Sequence, residues 1–285
     1  MCEKYEIAFN NKSDPTYEAM FNDLILEVFG FSFAPWFACV PWSENYESYS
    51  IIEGGVMLAN VSIFKADLVV NGQGFVAHQF GAVATRKSAR GRGLSRILMV
   101  HVLARYPETP AYLVANEDVA DFYPRFGFRQ VQTYLPQFAV SIDNEMPPVL
   151  RKMDDKHFRE TLANRAYFSK PVDCRNAQNV ALFHLLMAYE EHIYFLRAPG
   201  AYVIARQRGA DLFIADIIAR KPIHFALLAK ELPFKGVGNI TFGFCPRGIG
   251  VEPDWVRADA KVEPFFIHGA WELPAFFRFP ALAET

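Results

Sequence analysis

Residues 90–95 read Arg90-Gly91-Arg92-Gly93-Leu94-Ser95, between a predicted strand that ends at Thr85 and a predicted helix that begins at Leu94. The first amides of a helix have no partner within the helix and carry partial positive charge, so they attract phosphate. Glycine lets the backbone approach an anion closely, and arginine adds charge-assisted hydrogen bonds. The stretch therefore predicts a loop that holds a pyrophosphate group.

The sequence of this loop does not match two other phosphate-binding motifs. A dinucleotide-binding turn needs Gly-x-Gly-x-x-Gly, which is absent here. A nucleotide-triphosphate loop ends in Gly-Lys-Ser or Gly-Lys-Thr, which is also absent. The pyrophosphate predicted at this loop therefore belongs to a different kind of cofactor.

A second segment lies downstream and reads Asn116-Glu117-Asp118-Val119-Ala120-Asp121-Phe122-Tyr123-Pro124-Arg125-Phe126-Gly127-Phe128. With the loop at 90–95, it resembles the GNAT superfamily of acyl-CoA N-acetyltransferases. Their loop reads Gln/Arg-x-x-Gly-x-Gly/Ala, and their downstream segment has an Asn followed by Ala, Phe-Tyr and Gly-Phe. Ser95 is the one departure in the loop, and it is small. The resemblance covers roughly residues 5–142 and is strongest over 81–128.

The resemblance implies an α/β (α+β) fold, with a splayed mixed sheet flanked by helices. In the family, the pantetheine arm of acetyl-CoA lies in the gap between two parted strands. Carried over by position, backbone bonds to pantetheine would come from Val83, Ala84 and Thr85, and Asn116 would bind the arm from the other strand. The pyrophosphate would lie on the loop residues Arg90, Gly91, Arg92, Gly93, Leu94 and Ser95.

The implied reaction is transfer of the acetyl group of acetyl-CoA to an amine, which attacks the thioester directly. The departing CoA thiolate needs a proton, and the resemblance assigns the donor role to Tyr123. A phenol with a pKa of about 10 is protonated at neutral pH, which suits that role. The acceptor is expected to be a small-molecule or peptide amine.

The sequence leaves the identity of the general base open. Many family members have a carboxylate on the strand before the loop, where this chain reads His78-Gln79-Phe80-Gly81. His78 has a suitable intrinsic pKa. The other candidates are Glu117, Asp118, the C-terminal carboxylate of Thr285, as in some multi-domain relatives, and a water relay.

The best domain boundary is Met146-Pro147-Pro148, which divides the chain into residues 1–145 and 149–285. The second part also alternates strands and helices, so we expect a second, smaller α/β domain. It weakly resembles the degenerate half of a tandem GNAT protein that shapes the acceptor pocket. Where a second cofactor loop would lie, the chain reads Arg220-Lys221-Pro222-Ile223, and proline lacks an amide donor. We expect no second CoA site.

Local patterns predict several elements of the first domain. Asp14-Pro15 starts a helix that Gly30 ends, and Asn71-Gly72 forms a hairpin turn. The stretch 31–49 is expected to be irregular, and the resemblance implies that it borders the acceptor, where Trp36, Phe37, Trp42 and Tyr46 either flank it or pack in the core.

Composition excludes several classes of protein. The net charge of −2 over 285 residues gives no basic surface for nucleic acid or an anionic membrane. No run of about 18 apolar residues and no signal peptide is present, and the four cysteines form no Cys-x-x-Cys pair. We expect a cytoplasmic protein without a metal. Two alternatives to an acetyltransferase remain: a non-catalytic acyl-CoA-binding regulatory module, and an acyltransferase that uses a longer acyl-CoA.

Overall fold

The structure is a computed structural model that describes residues 5–169 and 171–284. Within these residues the strands form two mixed sheets, of eight and six strands. The strands are, in chain order, β1 (Ile7–Asn10), β2 (Tyr46–Glu53), β3 (Val56–Val70), β4 (Gln73–Thr85), β5 (Ala111–Val114), β6 (Arg129–Val131), β7 (Tyr134–Ile142), β8 (Val172–Cys174), β9 (Ile193–Leu196), β10 (Ala201–Arg208), β11 (Asp211–Ile218), β12 (Val237–Phe242), β13 (Asp254–Arg257) and β14 (Phe265–His268).

Helices flank both sheets. They are α1 (Pro15–Phe29), α2 (Ala34–Cys39), α3 (Leu94–Arg105), α4 (Lys156–Ala163), α5 (Gln178–His184) and α6 (Phe225–Ala229). Short 3₁₀ segments lie at Lys87–Ala89, Glu117–Phe126, Pro246–Ile249 and Ala281–Ala283, and a π turn at Leu185–Tyr189 extends α5. The expected mixed α/β fold is therefore confirmed.

The ends of α1 lie where the sequence predicts them. The Asp14 carboxylate accepts hydrogen bonds from the amides of Thr16 and Tyr17, at 3.0 and 3.1 Å. Gly30 ends the helix in the left-handed region, with φ of 78°. These contacts satisfy backbone groups that an uncapped helix would leave unpaired.

The Asn71-Gly72 turn joins β3 to β4 as predicted, because both residues adopt positive φ, at 51° and 81°. The stretch 31–49 is more ordered than expected, since it contains α2 and the start of β2. Its apolar residues gave no clear periodicity, so tertiary packing decides its structure.

The first sheet, ordered β1-β2-β3-β4-β5-β14-β6 with β8 paired to β3, is covered on both faces. Phe21, Leu24 and Ile25 of α1 pack on one face together with the C-terminal tail. Leu98 and Val102 of α3 pack on the other. The sheet is therefore buried on both sides, and access to its interior depends on gaps between its strands.

The two sheets exchange a strand. In the first sheet β14 lies between β5 and β6, with Ile267 opposite both Tyr112 and Arg129. In the second sheet, ordered β13-β7-β12-β11-β10-β9, β7 lies between β12 and β13 in the same way, with Gln137 opposite Thr241 and Asp254. The predicted boundary at residues 146–148 stays a prediction, and sheet pairing crosses it in both directions.

Candidate functional site

The site begins where β4 and β5 part. These parallel strands pair at only two positions, His78 with Ala111 and Gln79 with Tyr112. Beyond them β4 continues to Thr85 along β3, while β5 continues along β14. Val83 and Ala84, two of the predicted backbone contacts, therefore lie on a stretch of β4 that β5 no longer covers.

The loop at 90–95 connects this stretch of β4 to α3. Gly91 and Gly93 adopt φ of 78° and 75°, which a residue with a Cβ rarely does. No side chain caps α3, and the first amide bonded back to the loop is that of Ile97, which donates to Gly93 at 3.1 Å. The amides of the first turn, at residues 94–96, therefore have no partner within the helix.

A cleft of about 620 Å³ opens over this helix N-terminus. Most of the predicted cofactor residues line it: Thr85, Arg90, Gly91, Gly93, Leu94 and Ser95. Ser95 is fixed by its hydroxyl, which lies 2.5 Å from that of Thr85. Arg96, Arg125, Phe122 and Phe126 also line the cleft, and the sequence analysis did not single them out.

The arginines around the cleft fall into two groups. Arg92 pairs with Glu53 at 2.5 Å and stacks on Tyr5, so its guanidinium is held against the β2–β3 turn. Arg90 is exposed, and its guanidinium makes no hydrogen bond or ion pair with the described residues. With Arg96 and Arg125, it gives the cleft a positive lining that suits an anion of several charges.

Tyr123 lies at the edge of the aromatic core rather than along the cleft. Its ring is buried, with centroids 5.4 Å from Phe122 and 5.8 Å from Phe266. Burial raises the pKa of its phenol to about 12. The hydroxyl makes no hydrogen bond with the described residues. The phenol is therefore protonated at neutral pH, and its hydroxyl can donate a hydrogen bond that no described residue accepts.

Asn116 lies two residues after the end of β5 and is exposed at the start of the 3₁₀ segment Glu117–Phe126. Its side chain does not cap that segment. The position on the second of the two parted strands is the one that the resemblance implies for a contact to pantetheine.

The candidate bases differ in their surroundings. His78 is buried against Tyr106, with ring centroids 4.4 Å apart, and burial lowers its pKa to about 4. Glu117 and Asp118 are exposed on the 3₁₀ segment. Thr285 lies outside the described residues.

The sequence analysis missed Glu284, the last described residue. Burial raises the pKa of its carboxyl to about 7. Its backbone carbonyl lies 2.5 Å from Nε2 of His184, and its charge acts on Tyr112, where the β4–β5 pairing ends. A single carboxylate near a chain end has no pattern in sequence, so only the packed tail identifies it.

The aromatic residues predicted beside the acceptor pack in the core. Trp36, Trp42 and Tyr46 are each buried. The indole N–H of Trp36 donates to the backbone carbonyl of Asn179 at 2.8 Å, and the indole N–H of Trp42 donates to the backbone carbonyl of Tyr46 at 2.7 Å. Phe37 packs among them. The packing alternative is therefore the one that the structure supports.

The second half has a corresponding parting of strands, and the chain fills it. β11 and β12 pair in parallel over four positions, and Gly243 then donates to Ile214 at 2.8 Å. The tail follows, since the amide of Ala281 donates to Gly243 at 2.7 Å. A Cβ at residue 243 would lie 2.9 Å from Ala281 Cβ, so glycine permits this contact.

The described residues contain no group of three or more potential metal ligands. Among the helices in residues 5–169 and 171–284, none has the length and apolarity needed to cross a membrane.

The acetyltransferase (GNAT) domain family model matches residues 12–131. Among solved structures, a GCN5-related N-acetyltransferase from Anabaena variabilis has a TM-score of 0.56 and 14% identity, over 92% of this chain and 72% of that chain. A protein of unknown function from Enterococcus faecalis V583, described as a probable N-acyltransferase, has a TM-score of 0.53 and 14% identity over the same shares. At this identity the likeness concerns the fold alone. No curated protein sequence matches the chain.

The buried His78 predicts a pH dependence of stability. Its folded pKa of about 4 lies below its ordinary value of 6.5, so between these values the unfolded chain binds more protons. The stabilisation that neutral His78 retains is therefore lost as the pH falls from 6.5 towards 4. We expect His78→Gln to flatten this part of the stability curve, measured as urea midpoints at each pH. Because other groups, Glu284 included, titrate in both proteins, only the difference between the curves reports His78, and identical slopes would contradict its buried state.

Proposed function

We propose that the protein transfers an acetyl group from acetyl-CoA to an amine, because the acetyltransferase (GNAT) domain model matches residues 12–131. The amine attacks the thioester carbonyl directly, and the acceptor is a small molecule or a peptide. The observation that carries the proposal is the arginine-lined cleft over the free N-terminus of α3, beside the stretch of β4 that β5 leaves uncovered.

We assign the pyrophosphate of acetyl-CoA to the amides of residues 91–95, with Arg90 adding charge. Arg92 takes part through its amide, because its guanidinium is paired with Glu53. Arg96 and Arg125 line the same cleft and extend this set. Val83, Ala84 and Thr85 bind the pantetheine arm through their backbone, and Asn116 binds it from the side of β5.

We assign protonation of the CoA thiolate to Tyr123. Its raised pKa keeps the phenol protonated throughout the neutral range, and its hydroxyl has no competing hydrogen bond with the described residues. For the base we propose Glu284, whose pKa of about 7 suits proton abstraction near neutral pH. His78 is a weaker base at a pKa of about 4. The neighbouring carboxylate of Thr285 and a water relay remain its alternatives.

We further propose that the chain is a tandem GNAT protein, with residues 1–145 as the cofactor-binding half and residues 149–285 as a degenerate half. The matching strand orders and the filled gap beside β11 support this division of roles. The degenerate half then contributes β14 and the tail to the active half. A cytoplasmic location also stays a prediction, in keeping with the free thiols of Cys39, Cys174 and Cys245.

The cofactor site is tested by Gly93→Glu. This change forces a side chain onto a left-handed backbone and places a negative charge in the cleft, so we expect acetyl-CoA binding to be lost in calorimetry. Gly209→Glu is the matched control, because Gly209 has φ of 60° in the exposed β10–β11 turn, away from the cleft. Absence of binding to folded wild type would sink the proposed function. Equal loss in both variants would point to backbone strain instead.

The proton donor is tested by Tyr123→Phe, which removes one oxygen that makes no hydrogen bond with the described residues. We expect the midpoint of unfolding to stay near the wild-type value and kcat to fall by about 10²-fold. The assay follows CoA release from acetyl-CoA across a panel of amines. An unchanged kcat would reassign Tyr123 to packing. Acetyl-CoA binding with no CoA release from wild type would favour the non-catalytic module, and preference for longer acyl-CoAs the other alternative.

The base is tested by Glu284→Gln in the same assay. We expect kcat/KM at pH 8 to fall by about 10²-fold. The decline of wild-type activity as the pH falls through about 7 is expected to disappear. Glu263→Gln is the control, because Glu263 pairs with Arg278, whose charge also acts on Glu284. A variant that keeps the wild-type rate and the acidic decline would move the role to Thr285 or water.

A further inference from the structure

The uncovered stretch of β4 contains a β-bulge. Asn60 of β3 lies opposite Ala84, and Ser62 lies opposite Gly81, so Ala82 and Val83 together face the single residue Val61. Ala82 adopts φ of 46°, which is unusual for a residue with a Cβ. Such a conformation persists only where the surroundings hold it.

The side chain of Asn60, on the neighbouring strand β3, holds this bulge. Its amide nitrogen donates to the carbonyl oxygen of Ala82 at 2.9 Å and to the hydroxyl of Ser62 at 2.9 Å. Its amide oxygen accepts from Ser48 at 2.5 Å and from Ser50 at 3.0 Å. Because the Ala82 carbonyl can only accept, it is the nitrogen of Asn60 that faces it.

The members of this network hydrogen-bond to one another and are shielded from solvent. Asn60, Ser48, Ser50 and Ser62 are fully buried. The hydroxyl of Tyr17, on α1, lies 2.8 Å from that of Ser48 and 2.5 Å from that of Ser50. A buried amide whose donors and acceptor are all engaged has one orientation, because any other leaves polar groups unpaired in a medium without water.

The orientation of Asn60 sets the direction of a neighbouring amide. The Ala82 carbonyl and the Val83 N–H belong to one planar trans peptide group, in which they point in opposite directions. Asn60 holds the carbonyl from the β3 side. The Val83 N–H therefore points away from Asn60, on the side where β5 has already left β4.

Resting on the proposed function, we infer that Asn60 is a positioning residue that aims the Val83 N–H at the thioester end of bound acetyl-CoA. The N–H is a preset donor for the thioester carbonyl, whose oxygen gains negative charge when the amine attacks. Asn60 acts through the backbone of β4 and does not touch the cofactor.

The test uses acetyl-CoA labelled with ¹³C at the thioester carbonyl, which needs no knowledge of the acceptor. A hydrogen bond to that carbonyl moves its resonance downfield on binding to wild type. Asn60→Asp is nearly isosteric and sets an oxygen against the Ala82 carbonyl. We expect this variant to lose the downfield displacement at saturating acetyl-CoA, while the Kd for free CoA, which lacks the carbonyl, changes by less than about threefold.

Ser62→Ala is the matched control, because it removes one bond of the network and leaves Asn60 on Ala82. It is expected to keep the displacement. Thermal unfolding checks that each variant is folded. If Asn60→Asp does not fold, the double variant Ser48→Ala with Ser50→Ala releases the amide without changing Asn60, and is expected to reduce the displacement.

Three results would overturn the inference. One is a full displacement in folded Asn60→Asp or, where that variant does not fold, in the double variant. Another is an equal loss of the displacement in Ser62→Ala, which would show that the network has only a structural role. The third is bound wild type without any displacement, which would remove this inference while cofactor binding stands. Failure of wild type to bind acetyl-CoA at all is distinguishable, since it removes the proposed function itself.

Discussion

The structure depends on the early parting of two parallel strands. β4 and β5 share only two residue pairs, and after Gln79 the described strands cover β4 on one side alone. A backbone amide inside a protein must find a partner, so an uncovered stretch of strand is costly unless a ligand or water pairs with it. Beyond this point β4 contains the bulge at Ala82. The loop at 90–95 follows it, and the cleft opens over that loop. The parted strands therefore leave a gap beside this arginine-lined cleft.

The same constraint explains why the second half lacks an open gap. There the strands also part, but the chain turns its own tail into the space, and Ala281 pairs with Gly243. The backbone of the tail carries N–H and C=O groups, so it can hydrogen-bond to the strand as a ligand would. The loop between β11 and α6 contains Pro222 and no glycine, so we still expect no second cradle for phosphate there.

Strand exchange makes the two halves interdependent. β14 comes from the far end of the chain and closes the first sheet between β5 and β6, while β7 does the same for the second. Removing either strand would expose the edges of both neighbours and the apolar residues beneath them. The tail that follows β14 brings Glu284 close enough for its charge to act on Tyr112, where the β4–β5 pairing ends.

The sequence alone determined the elements whose causes are local. The Asp14 cap, the Asn71-Gly72 turn and the glycine loop before α3 each depend on a few neighbouring residues, and their backbone preferences can be read directly. The order of strands in the sheets, the burial of the aromatic stretch, the bulge held by Asn60 and the surroundings of Glu284 were decided only by tertiary structure. They depend on contacts between residues far apart in the chain, such as Tyr112 and Ile267, which are 155 positions apart, and local propensity carries no information about such pairs.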